Sequence, residues 1–368
     1  MEEKTFNLLK WFTGQLDKEK EGISRLNEKI DGFKQVLKLQ LIDLKDDSHY
    51  LVPIINGLHG DSMAEKGHPA LVNMSFRYQY RDIKIEQLKD FYNFSNKKGK
   101  FVVLVHGLMN DDSIWHSEPN DLLQRMGSFL EKQDNANILY IRYNTGRHIS
   151  ENGRDFSLLL QNLFDTYKSG LNELIIIAHS MGGLVTRSAG YFAEKLGLDW
   201  ISVLKKVFLV GVPNDGSYLA RIAHMTQYFF RKLDLTENDK IARLFDIRSN
   251  GIKDLSFGFL VDEDWKGQNY ETQKSKKAKK VYPIPDVEYY LIGASVSENK
   301  EKKKIFTFFG DGLVEKESAL SELFKEKQIQ SGMIHFKLFD NENHLSLLES
   351  EKVKDYVIDS LGWKQTLE

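Results

Sequence analysis

The chain has 368 residues, enough for one large α/β domain with an appendage or for two domains. Its 51 basic and 53 acidic residues leave a net charge of −2, which argues against nucleic acid as a partner, and no apolar run reaches the ~18 residues of a membrane span. There is no cysteine, so disulfides, thiol catalysis and cysteine-bound metals are excluded.

The first residues show no basic stretch followed by an apolar one, so no secretory signal is expected and a cytoplasmic location is inferred. Residues 1–50 read as an N-terminal helical extension. Leu16, Ile23, Leu26, Ile30, Phe33 and Leu37 follow a heptad-like stripe, weakened by Gly14, Gly22 and Gly32. The stripe suits a helical hairpin packed on the main domain or self-association. Phe6, Leu9, Trp11 and Phe12 would instead suit peripheral contact with a membrane surface.

Residues 51–368 read as one α/β domain. Asn56-Gly57-Leu58-His59-Gly60-Asp61 and Gly67-His68-Pro69 have the composition of loops. Strands are expected at residues 72–78, 101–109, 137–143, 174–177, 206–213, 287–294 and 334–339, with helices between several of them. Strands alternating with helices imply βαβ units and a mostly parallel sheet, whose chemistry collects beyond the C-terminal strand edges. Residues 214–280 break the rhythm with an aromatic stretch (Tyr218, Tyr228, Phe229, Phe230) and a lysine-rich run. They read as a cap inserted over the site, or else as a crossover helix with a loop.

The chemistry centres on Ala178-His179-Ser180-Met181-Gly182-Gly183. A short β-branched run precedes it and a helix-compatible run follows, so Ser180 falls on a sharp strand-to-helix turn. Ala178 and Gly182 let the two arms approach, which pushes the hydroxyl out towards a substrate. The Met181 N–H, at the start of the helix, can stabilise an oxyanion, and the Leu108 N–H after His106-Gly107 is the expected second donor. His106 itself reads as a loop brace.

A serine nucleophile needs a base and an acid to orient that base, in the chain order Ser, Asp or Glu, His. Of the histidines after Ser180, His224 lies in the presumed cap and His335 inside a strand. His344, just past the last strand, is the expected base. Asp311, between Gly310 and Gly312, is the expected acid, because flanking glycines permit a tight inward turn.

Together these residues resemble the α/β-hydrolase superfamily on its lipase and esterase side. Gly211-Val212-Pro213-Asn214-Asp215-Gly216-Ser217 is similar to a lipase loop, with Asn214 where a histidine is usual. Over residues 50–365 the chain also resembles bacterial hydrolases related to the PGAP1-like (GPI inositol-deacylase-like) lipases. That narrower likeness lies in residues 56–61, 143–150, 249–260 and 262–265. The resemblance implies an α/β-hydrolase fold and a serine hydrolase of carboxylic esters; the aromatic residues of the presumed cap suggest a lipid or apolar acyl ester as the small-molecule substrate. No metal or organic cofactor is expected. Amidase, thioesterase or acyltransferase chemistry on the same triad is the alternative. A non-catalytic interaction protein that keeps the fold is a second.

Overall fold

The computed structural model describes residues 48–68, 71–92, 99–118, 121, 123–214, 249–267, 278–295, 324 and 333–363. The proposed N-terminal extension up to residue 47 and the aromatic stretch of the insertion lie outside these residues. In chain order the elements are α1 (Ser48–Glu65), β1 (Ser75–Tyr78), β2 (Arg81–Ile83), α2 (Leu88–Phe91), β3 (Lys100–Val105), α3 (Met126–Lys132), β4 (Asn137–Arg142) and α4 (Ile149–Thr166). They continue with β5 (Glu173–His179), α5 (Met181–Leu196), β6 (Leu204–Val210), α6 (Asn250–Phe257), α7 (Asp262–Trp265), β7 (Glu288–Ser295), β8 (Ile334–Asp340) and α8 (Glu351–Leu361).

The eight strands form one sheet in the order β2-β1-β4-β3-β5-β6-β7-β8. β1 runs antiparallel to both its neighbours, and the six strands from β4 to β8 are mutually parallel. This is the α/β-hydrolase arrangement expected from the sequence. The central strands are apolar throughout because both faces are covered. Phe101, Val103 and Val105 of β3 enter one core with α4 and α5, while Val102 and Leu104 enter the other with α3 and α8. Each such side chain contributes roughly 1.5–3 kcal/mol relative to exposure.

The chain leaves β3 towards β4 on one side, and leaves β5 towards β6 on the other. The sheet therefore has its topological switch point between the adjacent strands β3 and β5. Their C-terminal loops diverge there and open a crevice, the general ligand position of such sheets. Val105 pairs with Ala178 at this edge. The loop after β3 and the turn at Ser180 consequently share one place.

One expectation is corrected. Residues 56–61, loop-like in composition, lie inside the helix α1. Their glycines serve close packing rather than a turn: a Cβ at Gly60 would fall 1.8 Å from Asn144 Oδ1.

Candidate active site at the β3–β5 crevice

Ser180 is fully buried and sits at φ 55°, ψ −127°, a region that side chains other than glycine rarely occupy. Such strain costs on the order of 1–3 kcal/mol and persists only when its surroundings hold it. Here the Ser180 N–H donates to the Val210 carbonyl at 2.9 Å and its own carbonyl accepts from Gly183 N–H at 3.0 Å. Gly182 presses on the end of β3, where a Cβ would lie 2.6 Å from the Val105 carbonyl oxygen and 2.5 Å from that of His106 just beyond the strand. The sequence reading named Gly182 but missed Gly183, whose Cβ would collide with Val212 at 2.2 Å.

The loop after β3 reaches the serine directly. A Cβ on Gly107 would stand 2.9 Å from Ser180 Cβ and 3.4 Å from its Oγ. Among the described residues, nothing accepts a hydrogen bond from the Leu108 or Met181 N–H. Met181 opens the 16-residue helix α5, so its amide adds the positive end of the helix dipole. Both expected oxyanion donors thus lie on segments that meet at Ser180.

His106 is buried beneath this loop. Its ring stacks on Tyr143 at 4.3 Å, its Nε2 accepts the Tyr143 N–H at 3.2 Å, and its Nδ1 donates to the Gly107 carbonyl at 2.9 Å. Burial pulls its pKa down to about 4, against the smaller opposing pull of the bond to Gly107. A neutral ring with both nitrogens engaged is a brace and cannot act as a base.

His344 follows β8 by four residues, and Asn343 holds its turn by accepting from the Leu345 and Ser346 N–H groups. The carbonyl of His344 accepts from His179 Nε2 at 2.9 Å, and the two imidazoles lie 4.5 Å apart. The ring rests on Gly211, where a Cβ would come within 3.0 Å of His344 Nδ1. His179 precedes Ser180, and Gly211 follows Val210, the hydrogen-bond partner of Ser180. The predicted base is therefore brought to the two chain segments that shape the nucleophile turn. Gly211 has φ +60°, so glycine is required there twice over.

His335 is placed elsewhere. It is the second residue of β8, half exposed, and stacks on Tyr290 at 4.6 Å. It stands five residues before the strand's C-terminal end, roughly 16 Å along β8 at ~3.3 Å per residue. Asp311 lies outside the described residues, and so does His224. Arg187, which the sequence reading missed, is almost fully buried on α5. It donates to Asn214 Oδ1 at 3.0 Å and to the Val281 carbonyl at 2.9 Å, tying the loop after β6 to the nucleophile helix. No local pattern marks such a residue; an arginine among small residues of an apolar helix is its one trace.

Residues 95–211, from before β3 to the seat of His344, match the family described as "Putative serine esterase (DUF676)". That span carries the elbow and the loop after β3, and the match supports a serine hydrolase. No relative among the curated proteins matches. Similar solved structures include the esterase Pf2001 of Pyrococcus furiosus, at 15% identity and a TM-score of 0.42, over 73% of this chain and 84% of that one. The lipase BlEst2 of Bacillus licheniformis gives 15% identity and 0.39 over 72% and 92%. The carboxylesterase CesB of Bacillus subtilis gives 12% and 0.39 over 72% and 84%. Among the described residues, no helix is long and apolar enough to cross a membrane.

Proposed function

We propose that this protein is a serine hydrolase of carboxylic esters, working through an acyl-enzyme. Ser180 Oγ attacks the ester carbonyl while His344 takes its proton. Collapse of the tetrahedral adduct breaks the ester bond, and His344 returns the proton to the departing alcohol. Water then attacks the acyl-serine, giving its proton to His344, and the acid leaves as Ser180 is restored. Asp311 is assigned the role of orienting the imidazole. The N–H groups of Leu108 and Met181 are assigned to the oxyanion; losing one such donor typically costs about 10²–10³ in rate.

The observation that carries this reading is the strained, buried turn of Ser180 against Gly107 at the switch point of the sheet. A fold maintains such strain where the hydroxyl of an elbow has work to do. The aromatic residues 218–230 favour an apolar acyl chain, with residues 214–280 as a cap above the crevice. Residues 1–50 are assigned to an appendage for self-association or peripheral membrane contact.

The test is hydrolysis of p-nitrophenyl esters of rising chain length by the wild type and Ser180→Ala. Turnover that vanishes in the variant, best on longer chains, is expected. Equal turnover by both proteins would overturn the assignment of the nucleophile. A preference for amides or thioesters would move the reaction while keeping the machinery.

A further inference from the structure

Two segments singled out in the sequence, residues 56–61 and 143–150, take no part in the chemistry above. They meet beneath the loop that follows β3. Thr145 is buried there, and its Oγ1 accepts the Met109 N–H at 3.1 Å. Met109 has φ +56°, a left-handed conformation that methionine adopts only when held. Its side chain is buried against α1, where a Cβ on Gly57 would fall 2.6 Å from Met109 Cγ and 3.1 Å from Thr145 Oγ1. Gly57 thus leaves room for both groups. On the other side, Asn110 Nδ2 donates to the Leu108 carbonyl at 3.1 Å.

The Leu108 carbonyl and the Met109 N–H belong to one peptide unit, and both of its polar ends are clamped. The preceding amide, Leu108 N–H, has no acceptor among the described residues. We propose that Thr145 is a positioning residue of the oxyanion loop: with Asn110 it locks the Leu108–Met109 peptide unit, so that Leu108 N–H is the amide presented to the reacting carbonyl. The proposal rests on the serine-hydrolase reading above. Without the hydroxyl, Met109 N–H becomes a buried donor lacking a partner. Rotating the peptide would satisfy it, but would release Met109 from its left-handed conformation and move Leu108 off target.

The experiment begins with fluorophosphonate labelling of the full-length wild type, then compares Thr145→Val, Thr145→Ser and Asn110→Ala. Thr145→Val is expected to cut kcat on a p-nitrophenyl ester by roughly 10- to 100-fold, with KM within about twofold. The same factor should appear in the labelling rate and in the affinity for a trifluoromethyl ketone, whose serine adduct carries an oxyanion. A non-reactive ether analogue of the substrate should bind as before. Thr145→Ser, which keeps the hydroxyl, should restore most of the loss, and Asn110→Ala should shift the same quantities by about a few-fold.

Labelled wild type with kcat in Thr145→Val unchanged per labelled serine would overturn the positioning role and leave the hydrolase reading intact. The same holds if the variant loses only thermal stability. If Thr145→Val does not fold, the partly exposed Asn110→Ala decides, and an unchanged kcat there overturns the proposal. A wild type that fluorophosphonate does not label sinks the hydrolase reading and this inference with it.

Discussion

Two histidine-bearing loops at the C-terminal edge of the sheet make an instructive contrast. His148, after β4, has a carboxylate partner: its Nδ1 lies 3.1 and 2.9 Å from the two oxygens of Asp254. Asp254 also accepts the Ile149 N–H at 2.9 Å, at the N-terminus of α4, and Trp265 stacks on the imidazole at 3.5 Å. His344, after β8, is held quite differently, through its backbone carbonyl and a glycine seat, with its ring half-buried beside His179. Its carboxylate partner alone would suggest His148 as a member of a Ser-His-Asp relay. Its location says otherwise. The pair joins α4 to α6 and α7, within residues 214–280, and buries both partners. A histidine–aspartate pair closed on every side is a clasp. A base needs a ring whose backbone is fixed while its edge stays within reach of the nucleophile.

The contrast would break most visibly on turnover. Ser180→Ala and His344→Ala are each expected to lower kcat by roughly a thousandfold or more with the melting temperature nearly unchanged. His148→Ala should do the reverse. It leaves the buried Asp254 carboxyl without its ring partner, so a loss of roughly 3 kcal/mol in stability is expected, with turnover per folded molecule close to wild type. Chemical denaturation alongside active-site titration separates the two. If His148→Ala abolished turnover while His344→Ala kept it, the roles assigned here would be exchanged. Gly211→Ala sharpens the same comparison at smaller scale. It adds a methyl 3.0 Å from His344 Nδ1 at φ +60°, so about a tenfold fall in kcat and about 1 kcal/mol of stability are expected.

Much of this arrangement was legible in the sequence where its cause is local. β3 and β5 read as strands because a parallel strand covered on both faces must be apolar at every position. The turn at Ser180 read as an elbow because Ala178 and Gly182 are its own steric requirements. His344 followed from chain order and its place past the last strand. What stayed hidden depends on partners far along the chain. Gly57 and Gly60 look like turn residues, yet they sit in α1, where they make room for Met109 and Asn144. Gly211 looks like the end of a strand, and its meaning comes from His344, more than a hundred residues later. β2 is a three-residue edge strand, too short to show any period. Thr145 is an ordinary polar loop residue until Met109 is placed against it.

The last effect concerns the clasp alone and is read by pH. Burial raises the Asp254 pKa from 3.8 to about 6, against the lowering by its hydrogen bond and charge interaction with His148 and its bond from Ile149 N–H. An acid whose pKa is higher folded than unfolded binds protons more tightly in the native state. Its stabilising contribution is complete below the unfolded value near 4 and is lost as pH rises through about 6. Within that window the slope from this one group is at most about 1.4 kcal/mol per pH unit. Asp254→Asn cannot ionise, so it should be less stable than the wild type at pH 4, where the neutral acid is best accommodated. The gap should narrow by pH 7, once the wild type has to bury a charge. Urea denaturation of both proteins at the two pH values measures this directly. A gap that widens towards pH 7 would mean that the ionised carboxylate is the stabilised form, and the clasp would then be an ion pair rather than a buried acid.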